Sequence, residues 1–318
     1  MFYSIRHITR FHYTAPVNES VMEVRMRPRS DSDQRCLQFA LTVNPKAHVN
    51  FYRDHLGNTI HHFDVPGSHT RLGLVAESTV EVDASEPMPN GIDPTAWQDI
   101  DAIADSGEFF EFLQPSTFAT PTSLLKAFAN EIGAERRDDP LTLLRELNSR
   151  IFGALSYVPK STDVDSPIDT ALSSRMGVCQ DFSHVMIAVL RGLGIPARYV
   201  SGYLYHTAEA QDRSSDGATH AWVEAMLPGL GWVGFDPTNN LLSTERHIRT
   251  AIGRDYADVP PAKGVFKGTA DSLLSVAVRV KTTDAPADDQ EMLQVAEAFI
   301  VTENPGVDQQ DAQQQQQQ

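Results

Sequence analysis

The sequence predicts an α+β protein, with an antiparallel β-sandwich-like domain ahead of a core that mixes helices and strands. Three observations predict it. Residues 1–84 alternate apolar and polar side chains in short runs broken by turn residues. Residues 119–255 begin instead with apolar residues at three- and four-residue steps, and alternate only afterwards. Residues 283–318 are acidic and end in a glutamine run. Such a composition cannot bury enough apolar surface to offset ordering, so a disordered tail is expected.

In the first run, Tyr3, Ile5, Phe11 and Tyr13 share one face, and Ser4, Arg6, Arg10 and His12 the other. Leu37, Phe39, Leu41 and Val43 alternate likewise, as do Leu72, Leu74, Ala76, Val80 and Val82. His55-Leu56-Gly57-Asn58 marks a turn between runs. Short strands of this kind suggest an antiparallel sandwich. Seven of the eleven histidines lie in residues 1–83, including His61-His62. Scattered along strands, they read as surface residues rather than a metal site. Residues 85–118 carry Pro87, Pro89, Pro94 and Pro115 and read as a linker packed on the surface.

Leu124, Leu125, Phe128 and Ile132 then have helical spacing. Asp139-Pro140 opens a second helix, with proline at its first position. A short helix is expected from about Asp169-Thr170 to Gly177. After Cys179, the residues Phe182, Val185, Met186, Val189, Leu190 and Leu193 form a buried helix face, which Gly192 and Gly194 end. Pro196 to Val200 reads as a strand, and two more strand-like segments carry His220 and then Trp232 to Asp236. Residues 256–282 hold one clean strand, Leu274, Val276, Val278 and Val280, expected to return to the N-terminal sheet. In the tail, Met292, Val295, Ala296 and Phe299 have helical spacing.

Composition excludes several classes. A net charge of −16 argues against nucleic acid and against an anionic membrane. The first residues have no apolar signal-peptide core, and no apolar run spans a bilayer. A cytoplasmic location is therefore expected. The two cysteines, Cys36 and Cys179, are too few for a disulfide scaffold and form no Cys-x-x-Cys metal pattern.

The chemistry concentrates on Cys179, which follows a glycine turn at the start of a helix. His220 lies 41 residues later (220 − 179) and Asp236 a further 16 (236 − 220). A thiolate is the nucleophile, and unpaired N–H groups at a helix start favour it. A departing amine needs a proton, which His220 can supply before it activates the incoming water or amine. Asp236 would fix the imidazole tautomer, with Pro237 keeping Asp236 extended. A developing oxyanion needs donors. The Cys179 backbone N–H is one candidate. The Gln180 side chain or the Tyr157 hydroxyl is the second, and the sequence does not choose. Trp222, Trp232 and His184 read as packing residues. A zinc site from Cys179, His220 and Asp236, perhaps with His184, is the weaker reading, so no metal or cofactor is expected. Pocket-lining residues are expected in 157–168 and 204–217, where Asp163, Asp165, Asp212 and Asp216 read first as solvated acidic loop, with a preference for a cationic or amine-bearing group as the alternative.

Three blocks carry a family resemblance: Gly177-Val178-Cys179-Gln180-Asp181-Phe182, His220-Ala221-Trp222-Val223-Glu224, and Gly231-Trp232-Val233-Gly234-Phe235-Asp236-Pro237-Thr238. With Gly194 to Tyr203 between them, the chain up to about residue 282 resembles the transglutaminase-like superfamily, in its bacterial branch with an N-terminal β domain. The resemblance implies a papain-like cysteine-enzyme core, with Cys179, His220 and Asp236 as nucleophile, acid/base and orienting carboxylate. It implies a peptide, protein or amide substrate. Val178 stands where the animal cross-linking enzymes carry a tryptophan, and their calcium-responsive architecture is missing. Hydrolysis is therefore expected, with protein-glutamine transamidation or a non-catalytic scaffold as alternatives.

Overall fold

The computed structural model describes residues 1–285, except 32, 85, 86 and 208. The helical spacing at Met292 to Phe299 and most of the tail lie outside the described residues. The N-terminal alternation forms strands β1 (Phe2–Val24), β2 (Gln34–Asn44), β3 (Asn50–Arg53), β4 (Thr59–Val65) and β5 (His69–Val82). They pair antiparallel in the order β2-β5-β1-β4-β3. β1 serves both halves of this sheet. Its start pairs with β5 and its end with β4, and the β5 pairing shifts register between His12 and Val17. Such irregularities bend strands. The sheet encloses its own core of Val17, Met22, Phe63, Leu72 and Leu74.

Three histidines of this region are not at the surface. His7, His61 and His69 are 1%, 6% and 8% exposed. They occupy inward positions, where neighbours satisfy at least two of the rings. His7 sits between Thr9 Oγ1 at 3.1 Å and the Tyr203 hydroxyl at 3.0 Å, and His69 Nε2 meets Ser20 Oγ at 2.9 Å. Burial pushes His7 and His61 down to about 4. The unfolded chain takes up protons below pH 6.5 that these native rings refuse until about pH 4. Stability is therefore full above pH 6.5 and falls as pH drops through that window, by roughly 3 kcal/mol at most for each ring. Melting temperatures between pH 7 and 4.5 should fall, and less steeply in His7→Gln. A pH-independent melting temperature over that range would refute this.

Residues 85–118 contain a helix absent from the sequence reading, α1 (Ala96–Ser106). The prolines flank it rather than interrupt it. Ile100 is buried in the main core, and Phe112 is buried too. α2 (Ser123–Glu131) is capped by Thr122 Oγ1, which accepts from Leu125 N. α3 (Pro140–Ala154) is capped by the Asp139 carboxylate, which accepts from Thr142 N. β6 (Ser156–Tyr157), α4 (Ile168–Ser174), β7 (Met176–Gly177) and α5 (Cys179–Gly192) follow. β8 (Ala197–Leu204), β9 (His220–Leu227), β10 (Gly231–Asp236), β11 (Leu241–Leu242) and β12 (His247–Gly253) form a second antiparallel sheet, ordered β11-β10-β9-β8-β12.

α5 is more than amphipathic. Residues 180–191 are all buried, with β8 and β9 on one side and α2, α3 and α4 packed around it. The last turn is held by Arg191, whose guanidinium donates to the carbonyls of Phe112, Gln114, Ala197 and Arg254. At the outer edge of the second sheet, two buried carboxamides act as strand partners for β12. Gln34 exchanges bonds with Arg249 N and O, and Asn58 with Ile252 N and O, at 2.8–2.9 Å. The chain then returns to the first sheet. β13 (Ala262–Lys267) and β14 (Ser272–Thr282) both pair with β1. Residues 1–282 form one compact unit.

Candidate active site

Cys179, His220 and Asp236 are delivered by the ends of three elements. Cys179 is the first residue of α5. The backbone reaches it through β7, which pairs in parallel with β6, so Tyr157 lies opposite Gly177. The α5 start is closed by Asp181, whose carboxylate accepts from Val178 N at 2.8 Å and from Thr162 Oγ1 at 2.6 Å. Gly177 makes room for it: a Cβ there would lie 2.8 Å from Asp181 Cβ.

His220 opens β9 and Asp236 closes β10. His220 Nε2 meets Asp236 Oδ2 at 2.8 Å. Asp236 Oδ1 accepts from the backbone N–H of Thr238 and Asn239, forming an Asx turn after the strand. Oδ2 also accepts from Asn239 Nδ2 at 2.7 Å. His247 Nε2 is 3.3 Å from the same oxygen, while its Nδ1 accepts from Thr244 N. That bond leaves the His247 proton on Nε2, aimed at Asp236. The ligand atoms of His220, Asp236 and His247 lie within 4.8 Å of one another. They are already used in bonds converging on one carboxylate oxygen, which makes them a hydrogen-bonded cluster.

Behind the imidazole, Trp222 stacks at 6.0 Å between ring centroids. It lies against Gly202, which pairs with His220 across β8 and β9. A Cβ at Gly202 would lie 2.7 Å from the Trp222 ring and closer still to the Ile248 carbonyl oxygen. Only a glycine admits this packing without a shift.

The other His220 nitrogen, Nδ1, is buried and has no hydrogen-bond partner among the described residues. Burial alone would lower this imidazole's pKa. The Asp236 carboxylate overrides burial, the Cys179 side chain adds to its effect, and the ring is raised to about 10. Asp236 moves the other way. Burial opposes its charge, but His220 and His247 hold the carboxyl well below the usual range. Burial lowers His247, which stays neutral.

Cys179 and His220 border a cleft of about 350 Å³. Tyr157 and Gln180 border it too. Gln180 Nε2 is engaged, donating to Val164 O at 2.9 Å. The Tyr157 hydroxyl meets Ser215 Oγ at 3.3 Å and accepts from Ser215 N. Of the two acidic segments, Tyr157, Pro159, Lys160, Val164 and Ser215 face the cleft. Asp163, Asp165, Asp212 and Asp216 do not, which removes the alternative of a cation preference. Asp212 is instead turned to Arg246 and His206. His184 is buried, stacks on Phe118 and accepts from Tyr256 N. Trp232 packs on Phe109, Phe112 and Arg198. Both cysteines are free thiols.

Sequence reasoning missed His247 and Asn239. Asn239 was findable, since Asp-Pro-Thr-Asn is a turn sequence that returns an amide to the aspartate. Nothing local marked His247, which arrives through the pairing of β12 with β8. The cleft also takes a wall from β1 and β14, through His7, Thr9, Leu274 and Val276.

The description "Transglutaminase-like superfamily" matches residues 126–237, and "Bacterial transglutaminase-like N-terminal region" matches residues 3–81. An uncharacterised protein of Mycobacterium leprae is 34% identical over 277 residues, covering 86% of this chain and 96% of that protein. One of Mycobacterium tuberculosis is 34% identical over 296 residues, covering 87% and 92%. A protein-glutamine gamma-glutamyltransferase of Pseudomonas aeruginosa is 32% identical over 143 residues, 40% of this chain and 20% of that protein. The crystal structure of a proposed cysteine protease from Cytophaga hutchinsonii shares the fold, with a TM-score of 0.70, 24% identity, and coverage of 90% and 92%.

Proposed function

This chain belongs to the transglutaminase-like superfamily, and from that premise we propose that it is a thiol-dependent acyl-transfer enzyme that hydrolyses an amide or peptide bond. One observation carries the reading. Asp236 holds His220 by Nε2, while the buried Nδ1, beside Cys179, has no partner among the described residues. The Cys179 sulfur attacks the carbonyl carbon. The oxyanion is received by the Cys179 backbone N–H, which has no acceptor in the first helical turn, and by the Tyr157 hydroxyl. Gln180 serves chiefly to tie the 159–166 loop to α5. His220 gives its proton to the departing amine, leaving a thioester on Cys179. Water then attacks the thioester, loses a proton to His220, and the acid leaves with the thiol restored.

Transamidation is the second reading, supported by the match to the Pseudomonas aeruginosa gamma-glutamyltransferase. The cleft favours water. Lys160 lines it and, among the described residues, no carboxylate does, so a protonated amine approaching as acceptor meets a like charge. A glutamine peptide offered with a labelled primary amine decides between them. Hydrolysis yields glutamate and ammonia; label in the peptide would overturn it. In the same assay Tyr157→Phe should lower kcat about tenfold or more, and an unchanged kcat would remove Tyr157 from the oxyanion site.

A further inference from the structure

β14 has one partnered edge and one that opens toward the cleft. Its pairing with β1 runs without a register shift from Tyr3 opposite Thr282 to Tyr13 opposite Ser272. On its other edge, Val278 N donates to Gly217 O at 2.8 Å. Gly217 lies three residues before His220, so this edge is already in register with the segment that leads to the imidazole. Backbone groups of alternate residues in a strand point the same way. Val276 and Leu274 therefore aim their N–H and C=O outward beside Val278. Among the described residues nothing pairs with them there. Their side chains, 44% and 58% exposed, form the wall of the cleft that holds Cys179.

An exposed strand edge is a template for another strand. Here the template continues an existing backbone contact and ends in a cleft with a nucleophile. Resting on the enzymatic reading above, we propose that the substrate is an extended polypeptide segment that adds as a strand to the outer edge of β14. Main-chain bonds to Val276 and Leu274 hold it, and apolar side chains fill the cleft. Small free amides, with no main chain to pair, lack these bonds. A segment held in a helix cannot offer its main chain until it unwinds.

Val276→Pro tests this in the full chain. Proline removes the outward N–H while leaving the β1-facing bonds of Ser275 and Ala277 intact, as an outward-facing edge position allows. The probe is an acetylated Val-Leu-Gln chloromethyl ketone, whose chloride is displaced by the Cys179 sulfur. Iodoacetamide, with no peptide, is the comparison. The peptidyl probe should label Val276→Pro about tenfold or more slowly, the worth of about one hydrogen bond with an unpaired partner. Iodoacetamide labelling should not change, and Val276→Ala, which keeps the N–H and only trims the cleft wall, should slow the peptidyl probe less than Val276→Pro does. If Val276→Pro fails to fold, backbone N-methylation of the probe on the wild type makes the same cut from the other side. Equal peptidyl labelling of wild type and Val276→Pro would overturn the proposal. So would a dimer that Val276→Pro dissociates with peptidyl labelling unchanged, because a second copy would then own the edge. Failure of the enzymatic reading looks different: iodoacetamide labelling of Cys179 would be indifferent to His220→Ala.

Discussion

Asp236→Asn should lower kcat about 10⁴-fold and destabilise the fold by about 2 kcal/mol or more. The substitution is isosteric, so the loss comes from the hydrogen-bond pattern. Oδ2 receives His220, His247 and Asn239, while Oδ1 receives two backbone N–H groups. Every one of these partners can donate. An asparagine has a single oxygen, so either orientation sets an NH₂ against donors. If the NH₂ faces the histidines, His220 must turn to the tautomer with its proton on Nδ1, facing Cys179, and cannot accept a proton there. The charge goes as well. In the wild type His220 is raised to about 10, with Asp236 overriding the effect of burial. As the acid it works only while protonated, so activity is lost as pH rises through that value. Without the carboxylate, the alkaline limb of kcat/KM should move to lower pH. Steady-state kinetics from pH 6 to 10.5 on both proteins would show it. An Asp236→Asn protein with wild-type kcat would mean that the carboxylate only supports the fold.

Cys179→Ala should abolish turnover, a loss of about 10⁶-fold of the kind seen when a nucleophile is deleted, while the fold survives. Alanine is the best helix former, and the side chain sits at the first helical position, partly exposed at the cleft. The melting temperature should stay within a few degrees of wild type. A scaffold that merely retained the fold would act equally well with alanine. Turnover that persists in a folded Cys179→Ala protein would end the thiol mechanism.

How much of this was legible in the sequence depended on range. Asp139-Pro140 announced its helix because a cap is a local device, and the steps after Cys179 announced α5. Cys179 and Asp236, which the structure places at element ends, stood out because one follows a glycine turn and the other precedes a proline, and His220 stood out by its order and spacing between them. The inward histidines were misread because alternation shows which residues share a face but not which face is covered. α1 escaped because prolines that flank a helix resemble prolines that break one. The far wall of the cleft was beyond local reading. His7 meets Tyr203 across 196 positions, and β14 meets β1 across some 270. The clean alternation of Leu274 to Val280 predicted the strand and its return, but not that it would border Cys179.

The carboxamides of Gln34 and Asn58 have a consequence for how this chain can be handled. They are surrogate strand partners, satisfying backbone groups of β12 that no strand beyond it covers. A core cut away from the first sheet would keep Cys179, His220 and Asp236 but lose both amides. It would then present a bare, largely buried β12 to any neighbouring molecule, and bare edges recruit their own kind. The two halves are therefore not modules to be shuffled. The first sheet guards β12 against self-association, and excising it leaves an adhesive edge in its place.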